Sequence, residues 1–280
     1  MWYNNPNTVS DTVKAVKSAS QDTGWIMHHV LDAYQIELPF VGTVHLPQFH
    51  LFGINMSITK HVVFMWLAVI ILVTLFVKVS KSYKKSLIPS GVTNFTEVLV
   101  LFVRDDIVKP TIGHGYEKFL PYLLTVFFFI LTCNFIGLFP YGSTATGNIA
   151  VTATLATLSF FVIQIGGIMK NGLFGYFKGL LPHGLPVWLI PIMLVVELLG
   201  LFTKPFALAI RLFANMTAGH IVILALLGLI FILKTYVVIP VSISFALFIY
   251  LLEILVALIQ AYIFTMLSSL FIGMAYHQEH

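Results

Sequence analysis

The sequence predicts an all-α polytopic membrane protein with about five membrane-embedded helices, the last two long and strongly tilted, plus one surface amphipathic helix. Composition is the first observation behind this fold class: 59% of the 280 residues are hydrophobic and only 9% are charged. Soluble domains carry about 25% charged residues. The second observation is that apolar runs long enough to span a bilayer recur along the chain. The net charge of +4 comes mostly from loop lysines, which indicate membrane topology and do not predict nucleic-acid binding.

The N-terminal segment, residues 1–60, contains no apolar run of about 18 residues, so we expect it to lie outside the membrane or at its surface. The first span is predicted over residues 61–77, within a membrane domain that covers residues 61–280. Four lysines follow this span at once: Lys78, Lys81, Lys84 and Lys85. The positive-inside rule places that end in the cytoplasm or matrix, and the N-terminus on the outer side.

Residues 93–108 are predicted to form an amphipathic helix on the inner surface. Apolar side chains recur there at helical spacing, with charged residues between them: Phe95, Leu99, Phe102 and Ile107. An ordinary cytoplasmic loop helix is the alternative.

A transmembrane hairpin is predicted over residues 119–168, because no charged residue occurs between Phe119 and Met169. Pro140 and two glycines interrupt this run in the middle. They divide it into an outward span over residues 119–139 and a return span over residues 148–168.

Two longer helices are predicted over residues 187–233 and 235–275. The first would be about 70 Å long, whereas the hydrocarbon core is only ~30 Å thick. It must therefore be tilted, kinked or split, and Pro191 and Pro205 are the candidate kinks. Pro240 is expected to interrupt the second helix early, and a count of five spans puts the C-terminus inside.

These two helices carry the polar residues of the membrane domain: Glu197, Lys204, Arg211, Asn215, His220, Glu253 and Gln260. Ionisable residues inside a membrane usually mark ion or proton pathways. Arg211 is the most informative of them, because a guanidinium does not deprotonate in a protein. A charge at the bilayer centre costs about 2.5–3.5 kcal/mol on insertion scales.

Helical phase separates these residues into two groups. Glu197, Lys204, Arg211 and Asn215 all fall within about 40° of one another. His220 faces the opposite way, about 180° from Arg211. This geometry suits two aqueous pockets that do not meet, with Arg211 between them.

A stripe of small residues lies within about 60° of the arginine and would let another helix approach closely. It consists of Ala207, Ala214, Ala218 and Ala225. The stripe suggests an external partner, and packing against the last helix of the same chain is the alternative.

On the last helix, Glu253 and Gln260 share a face, about 10 Å apart along the axis. If the two long helices are antiparallel neighbours joined near Lys234, then His220 and Glu253 lie at similar distances from the turn. Such a pair could relay protons, because histidine titrates near physiological pH. A purely structural buried pair is the alternative.

Several of these runs resemble subunit a of the F-type ATP synthase membrane sector. The matching segments are Glu197-Leu198-Leu199-Gly200, Lys204-Pro205, Arg211-Leu212-Phe213-Ala214-Asn215-Met216-Thr217-Ala218-Gly219 and Gln260-Ala261-Tyr262-Ile263-Phe264. The similarity extends over most of the chain, including His28-His29, Asn134, Pro140 and the terminal Glu279-His280.

The resemblance implies a stator subunit that packs in the bilayer against a ring of c subunits and works with peripheral stalk b subunits and the remaining ATP synthase subunits. Such a subunit is not an enzyme on its own, and the family implies no cofactor, metal or nucleic acid. Protons would enter by one half-channel, neutralise a carboxylate on the c-ring, and leave by a second half-channel after rotation. ATP synthesis would be coupled to that rotation.

The resemblance also implies roles for residues at matching positions. Arg211 would be the essential charge barrier facing the rotor carboxylate, with Asn215 and Gln260 as polar neighbours. Glu197 and Lys204 would line the inner half-channel. The outer half-channel would contain His220 and Glu253, with contributions from Asn134 and Thr152.

The sequence departs from one bacterial version of the family at three positions. The acid and the histidine of the outer half-channel are exchanged here, at His220 and Glu253, as in mitochondrial members. An aspartate found in some members is Gly137 in this chain, so the outer half-channel would be lined differently. The long N-terminal segment favours the bacterial inner membrane as the location, with the mitochondrial inner membrane as the alternative.

Two other functional classes compete with this interpretation. A self-contained ion channel or secondary transporter is disfavoured because the sequence shows no inverted repeat. An intramembrane enzyme is disfavoured because no His-Glu-x-x-His or nucleophile motif is present. The histidines at positions 28, 29, 45 and 50 are interpreted as surface or loop residues and not as metal ligands.

Overall fold

The structure is a computed structural model. It describes residues 35–38, 42–47, 50–51, 54–55, 57–85, 88, 90–139, 142–179, 186, 189–233 and 235–277. The chain divides into two compact units, one made of residues 1–60 and 217–253, the other of residues 61–216 and 254–280.

The described part of the N-terminal segment contains two short antiparallel hairpins. The first pairs β1 (Gln35–Leu38) with β2 (Gly42–His45), and the second pairs β3 (His50–Leu51) with β4 (Ile54–Asn55). The sequence analysis did not predict these strands. The histidines at positions 28 and 29 lie outside the described residues.

Helices make up nearly all of the rest of the described chain, as predicted. They are α1 (Lys60–Lys85), α2 (Val92–Leu101), α3 (Lys109–Ile112), α4 (Leu120–Leu138), α5 (Ile149–Gly179), α6 (Ile190–Leu233) and α7 (Val238–Tyr276). Among the described residues, five helices are long and apolar enough to cross a membrane, namely α1, α4, α5, α6 and α7. The all-α polytopic fold class is therefore confirmed.

Helix α1 is longer than the predicted span, because it continues to Lys85 through the four lysines. None of the added residues is a glycine or a proline, so the backbone hydrogen bonds continue past the end of the apolar run. Lys84 and Lys85 occupy the last turn, where positive charge interacts favourably with the helix dipole.

The predicted amphipathic segment is helical but only partly a surface helix. A π-helix, Phe102–Val108, joins α2 to α3. Beyond its start, Val103, Ile107 and Val108 are buried in the protein core, whereas Phe95 on α2 is 65% exposed. The wider π turn changes the helical phase, so the apolar face expected from ideal spacing does not continue as one stripe.

The predicted hairpin corresponds to α4 and α5, although α5 is longer than its predicted span. Its continuation to Gly179 includes one residue in a non-helical conformation, Gly172, with φ 71° and ψ 167°. This positive φ is a conformation that glycine adopts without steric cost, and it breaks the axis of α5.

Helix α6 contains 44 residues and is continuous, so the alternative of two separate helices is wrong. At 1.5 Å per residue it is about 66 Å long, more than twice the ~30 Å hydrocarbon core. Pro191 does not kink α6, because it lies in the first turn of the helix. Backbone N–H groups in a first turn have no acceptor within the helix, so a proline there removes no hydrogen bond. Pro240 does not interrupt α7 for the same reason, and Pro205 is the proline inside α6.

The core of the unit formed by residues 61–216 and 254–280 joins the π-helix, α4, α5 and parts of α6 and α7. Its fully buried members include Val103, Leu123, Ile130, Leu212 and Phe264. This packing fixes the middle of α6 against the C-terminal half of α7, which positions the polar residues described next.

Candidate functional site

Arg211 lies on the exposed face of α6. The opposite face of this part of the helix is buried in the core by Leu208, Leu212 and Met216. Arg211 itself is exposed and has no carboxylate partner within the described residues. The chain therefore presents a permanent positive charge outward from an apolar helix.

The small residues predicted to share the face of Arg211 are exposed as well. Ala207 and Ala214 flank the arginine on α6, and Ala218 and Ala225 continue the stripe along the helix. Because all four are exposed, this chain does not use the stripe for packing against its own last helix. The alternative of internal packing is wrong for these residues.

Asn215 and Gln260 are directly joined. The Asn215 side-chain amide Nδ2 donates a hydrogen bond of 2.9 Å to Oε1 of Gln260. Gln260 is buried, with 2% of its surface exposed, whereas Asn215 is exposed one helical turn after Arg211. This bond connects α6 to α7 beside the arginine and orients the amide of Asn215.

Glu197 and Lys204 line one cavity of about 300 Å³. Phe271 and His277 also line this cavity. The Lys204 ammonium Nζ lies 5.2 Å from the ring centroid of Phe271, which is cation–π distance. Glu197 and Lys204, which helical phase placed on one stripe, therefore line the same cavity.

His220 and Glu253 are in contact, as the sequence analysis expected. The imidazole Nδ1 lies 2.6 Å from Oε1 of Glu253. The Glu253 side chain is 3% exposed and that of His220 is 24% exposed. The contact is at an ion-pair distance, and neither carboxylate oxygen of Glu253 has a hydrogen-bond partner among the described residues.

Gly219 makes room for this pair. A Cβ atom at Gly219 would lie 2.8 Å from Oε1 of Glu253 and 3.0 Å from its carboxyl carbon. Because ordinary contact begins near 3.4 Å, only a glycine leaves the carboxylate in this place. Sequence reasoning noted Gly219 as part of a motif but did not detect this packing role.

Asn134 is fully buried and bridges two other segments. Its Nδ2 donates to the carbonyl oxygen of Ala257 at 3.3 Å, and its Oδ1 accepts from the Thr146 hydroxyl at 2.7 Å. The Thr152 hydroxyl is also buried, but it donates to the carbonyl of Ile149 on its own helix at 3.1 Å. These contacts do not bring Thr152 to Asn134.

The sequence analysis missed two polar contributors near the start of α1 and the hairpin loop. Thr146 fixes the orientation of Asn134, as described above. His61 is 3% exposed, and its Nδ1 lies 3.1 Å from the hydroxyl oxygen of Ser143, which is also buried. The available signal was a histidine at the first position of a long apolar run.

The described part of the chain contains no candidate metal centre. No group of three or more His, Cys, Asp or Glu side chains is placed there to hold a metal ion.

Comparison with known proteins decides the family. The family model described as ATP synthase A chain matches residues 62–273. The chain belongs to this family.

Bacterial relatives agree with this assignment. ATP synthase subunit a of Chloroherpeton thalassium is 57% identical over 259 residues, which cover 91% of this chain and 77% of the relative. ATP synthase subunit a 2 of Chlorobaculum tepidum is 54% identical over 268 residues, covering 94% and 75% of the two chains. ATP synthase subunit a of Anaeromyxobacter sp. is 47% identical, covering 89% and 69%.

Membership in the ATP synthase A chain family, together with the apolar helices, makes this chain a bacterial membrane-embedded subunit of the multi-subunit ATP synthase. Members of this family are non-catalytic membrane subunits, so the chain is not an enzyme on its own. The chain takes part in ATP synthesis and proton transport.

The structure shows why position 137 accommodates only a glycine. A Cβ atom at Gly137 would overlap the hydroxyl group of Thr144, which is 3% exposed. The Thr144 side chain therefore occupies the space that a longer side chain at position 137 would need.

Proposed function

We propose that this chain forms two proton half-channels against a rotating c-ring and couples transmembrane proton flow to rotation and ATP synthesis. The observation that carries this proposal is the exposed Arg211 on an exposed small-residue face of an otherwise apolar helix. A charge in this position is costly in bare lipid, so it requires a partner that carries the opposite charge. The described chain supplies no carboxylate to Arg211, and a carboxylate on the c-ring would do so.

Arg211 acts in this proposal as a fixed barrier between the half-channels. Moving one elementary charge through 100 mV is worth about 2.3 kcal/mol, and a continuous water path would dissipate that energy. A guanidinium cannot pass on a proton by deprotonating. It therefore repels an excess proton in water and attracts a deprotonated rotor carboxylate as that carboxylate comes past.

The outer half-channel contains the His220–Glu253 pair. An imidazole and a carboxylate can each gain and lose a proton, and the 2.6 Å contact places Nδ1 of His220 beside Oε1 of Glu253. Oε2 of Glu253 has no hydrogen-bond partner among the described residues, and the His220 ring is partly exposed. The pair could therefore exchange protons with one neighbouring group at Oε2 and with another at the ring. Asn134 and Thr152 add polar groups to this half-channel, although Thr152 bonds within its own helix.

The inner half-channel is the cavity lined by Glu197 and Lys204. Glu197 can accept a proton there, and Lys204 holds a positive charge near Phe271. The Asn215–Gln260 hydrogen bond keeps two amides beside Arg211, where they can orient the rotor carboxylate. We propose that the N-terminus lies outside and the C-terminus in the cytoplasm, with lysines at the end of α1 marking the inner side.

The partners in this proposal are the c-ring, the peripheral stalk b subunits and the remaining ATP synthase subunits. The exposed alanines on α6 are the surface for the c-ring, because small side chains allow close helix approach.

The test is the substitution Arg211→Ala in the complete ATP synthase, assayed by ATP-driven proton pumping into inverted vesicles. We expect pumping to be abolished while the c-ring still co-purifies. Arg104→Ala is the matched control: Arg104 is a surface arginine paired with Asp105 at 2.8 Å, and exposed ion pairs contribute little to stability. Normal pumping by Arg211→Ala would refute the proposal.

A further inference from the structure

Helix α5 folds back on itself at its inner end. Tyr176 and Gln164 are 12 residues apart, which is about 18 Å along a straight helix. The positive φ of Gly172 breaks the helix between them, and the Tyr176 hydroxyl donates a 2.7 Å hydrogen bond to Oε1 of Gln164. The Tyr176 ring lies against Gly167, where a Cβ atom would be 2.5 Å from the ring.

Two side-chain contacts connect this fold-back to the end of α7. The Asn171 side-chain amide donates to the carbonyl oxygen of Ala275 at 3.1 Å. The Lys170 ammonium Nζ lies 5.4 Å from the ring centroid of Tyr276. These contacts flank the glycine break, so Tyr176 is held in place and is 2% exposed.

The amide of Gln164 has an unsatisfied donor. Its Nε2 is buried and has no hydrogen-bond partner among the described residues. Buried donors are nearly always bonded to protein or to ordered water. Gln164 and Tyr176 line the same cavity as Glu197 and Lys204, and about 300 Å³ is room for several waters at ~30 Å³ each.

We propose that Gln164 and Tyr176 are positioning residues of the inner half-channel, which hold a file of water molecules that leads to Glu197. The Tyr176 hydroxyl fixes the orientation of the Gln164 amide. Nε2 then donates a hydrogen bond to the oxygen of a water molecule, and this bond orients that water. The excess proton passes along the waters, and neither Gln164 nor Tyr176 gains or loses one. This inference rests on the proposed proton function of the cavity.

The first experiment measures passive proton conduction through vesicles that carry the complete membrane sector, after the catalytic sector has been removed. Conduction is driven by a potassium gradient with valinomycin. Gln164→Leu keeps the volume but removes the donor, and we expect a decrease of about threefold to tenfold, the range for one hydrogen bond. Tyr176→Phe keeps the ring against Gly167, and we expect a decrease of about twofold to threefold.

Tyr122→Phe is the matched control, because it removes a tyrosine hydrogen bond of the same length that also involves a polar side chain of α5. The Tyr122 hydroxyl lies 2.7 Å from that of Ser159 on α5, and neither residue lines the cavity. We expect unchanged conduction for this variant. Gln164→His restores a donor and should recover at least half of the conduction lost in Gln164→Leu.

A second readout tests for water in the cavity. A cysteine introduced by Gln164→Cys should react with a membrane-impermeant thiol reagent from the inner side, while the native Cys133 is buried. Wild-type conduction by Gln164→Leu, an unreactive cysteine, or equal losses in Tyr122→Phe and Tyr176→Phe would each overturn the inference. The Arg211→Ala variant, assayed in parallel, separates this inference from the proposed function. If Arg211→Ala abolishes ATP-driven pumping, the proposed function stands even where the Gln164 variants overturn the inference. If Arg211→Ala pumps normally, the proposed function fails whatever the Gln164 variants show.

Discussion

Gly219→Ala tests whether the His220–Glu253 contact matters for proton transport. The added Cβ would lie 2.8 Å from Oε1 of Glu253, whereas ordinary contact begins near 3.4 Å. The carboxylate must therefore move by about 0.6 Å to restore ordinary contact. Because the carboxylate is the end of a flexible side chain, the shift costs little steric energy, but it lengthens the contact with His220.

The magnitude follows from the geometry of the pair. A displacement of about 0.6 Å directed away from His220 would lengthen the 2.6 Å contact to about 3.2 Å. For a protonated imidazole and an effective dielectric constant of about 20, this lengthening weakens the Coulomb attraction of the pair by about 1 kcal/mol. We expect a decrease in proton transport of roughly fivefold.

Folding stability should not fall in this variant, since alanine in a helix is favoured over glycine by about 0.5–1 kcal/mol. This separates loss of transport from loss of structure. Gly200→Ala is the matched control on the same helix, because a Cβ atom at Gly200 would meet nothing within 4 Å.

The assay is ATP-driven acidification of inverted vesicles that contain the complete complex, compared at equal ATP hydrolysis. Thermal unfolding of the purified complex is measured beside it. The reasoning is refuted if Gly219→Ala pumps at the wild-type rate, or if Gly200→Ala loses as much transport as Gly219→Ala.

Three further substitutions test the polar contacts. Gly137→Asp should lower the yield and thermal stability of the assembled complex, because its Cβ would overlap the Thr144 hydroxyl group; a stable, fully assembled variant would contradict the packing. Asn134→Ala removes a buried bridge, and we expect about 1–3 kcal/mol of lost stability, seen as a lower unfolding temperature; an unchanged temperature would show that the bridge is not stabilising. Gln260→Leu leaves Asn215 without its partner, so pumping should fall while the amount of assembled complex stays constant, and a parallel fall in both would indicate a structural role only.

Most of the fold could be predicted because apolar runs of membrane-spanning length are a strong local signal. The predicted helix boundaries were less accurate where a helix continues past the end of its apolar run, as α1 does up to Lys85. Pro191 and Pro240 were overvalued as breaks, since a proline in the first turn costs no backbone hydrogen bond. The π-helix at Phe102–Val108 changes the phase of the apolar face, which ideal spacing does not reveal.

The site was predictable where it depends on the phase of one helix. Arg211 and its small-residue face follow from angular positions on α6, and the antiparallel arrangement of two helices was enough to expect the contact between His220 and Glu253. Contacts that depend on a break in a helix were not predictable. The hydrogen bond from Tyr176 to Gln164 exists only because Gly172 reverses the local chain direction.

Exposure of Arg211 makes this chain energetically costly without its partner. An isolated copy inserted into lipid would hold a bare guanidinium at a cost of about 2.5–3.5 kcal/mol on insertion scales. In the proposed complex a rotor carboxylate would meet the arginine and lower that cost, which would link assembly thermodynamically to membrane insertion. We accordingly expect newly made copies to be short-lived until the ring is present, so that quality control of biogenesis would act on the residue proposed to separate the two proton paths.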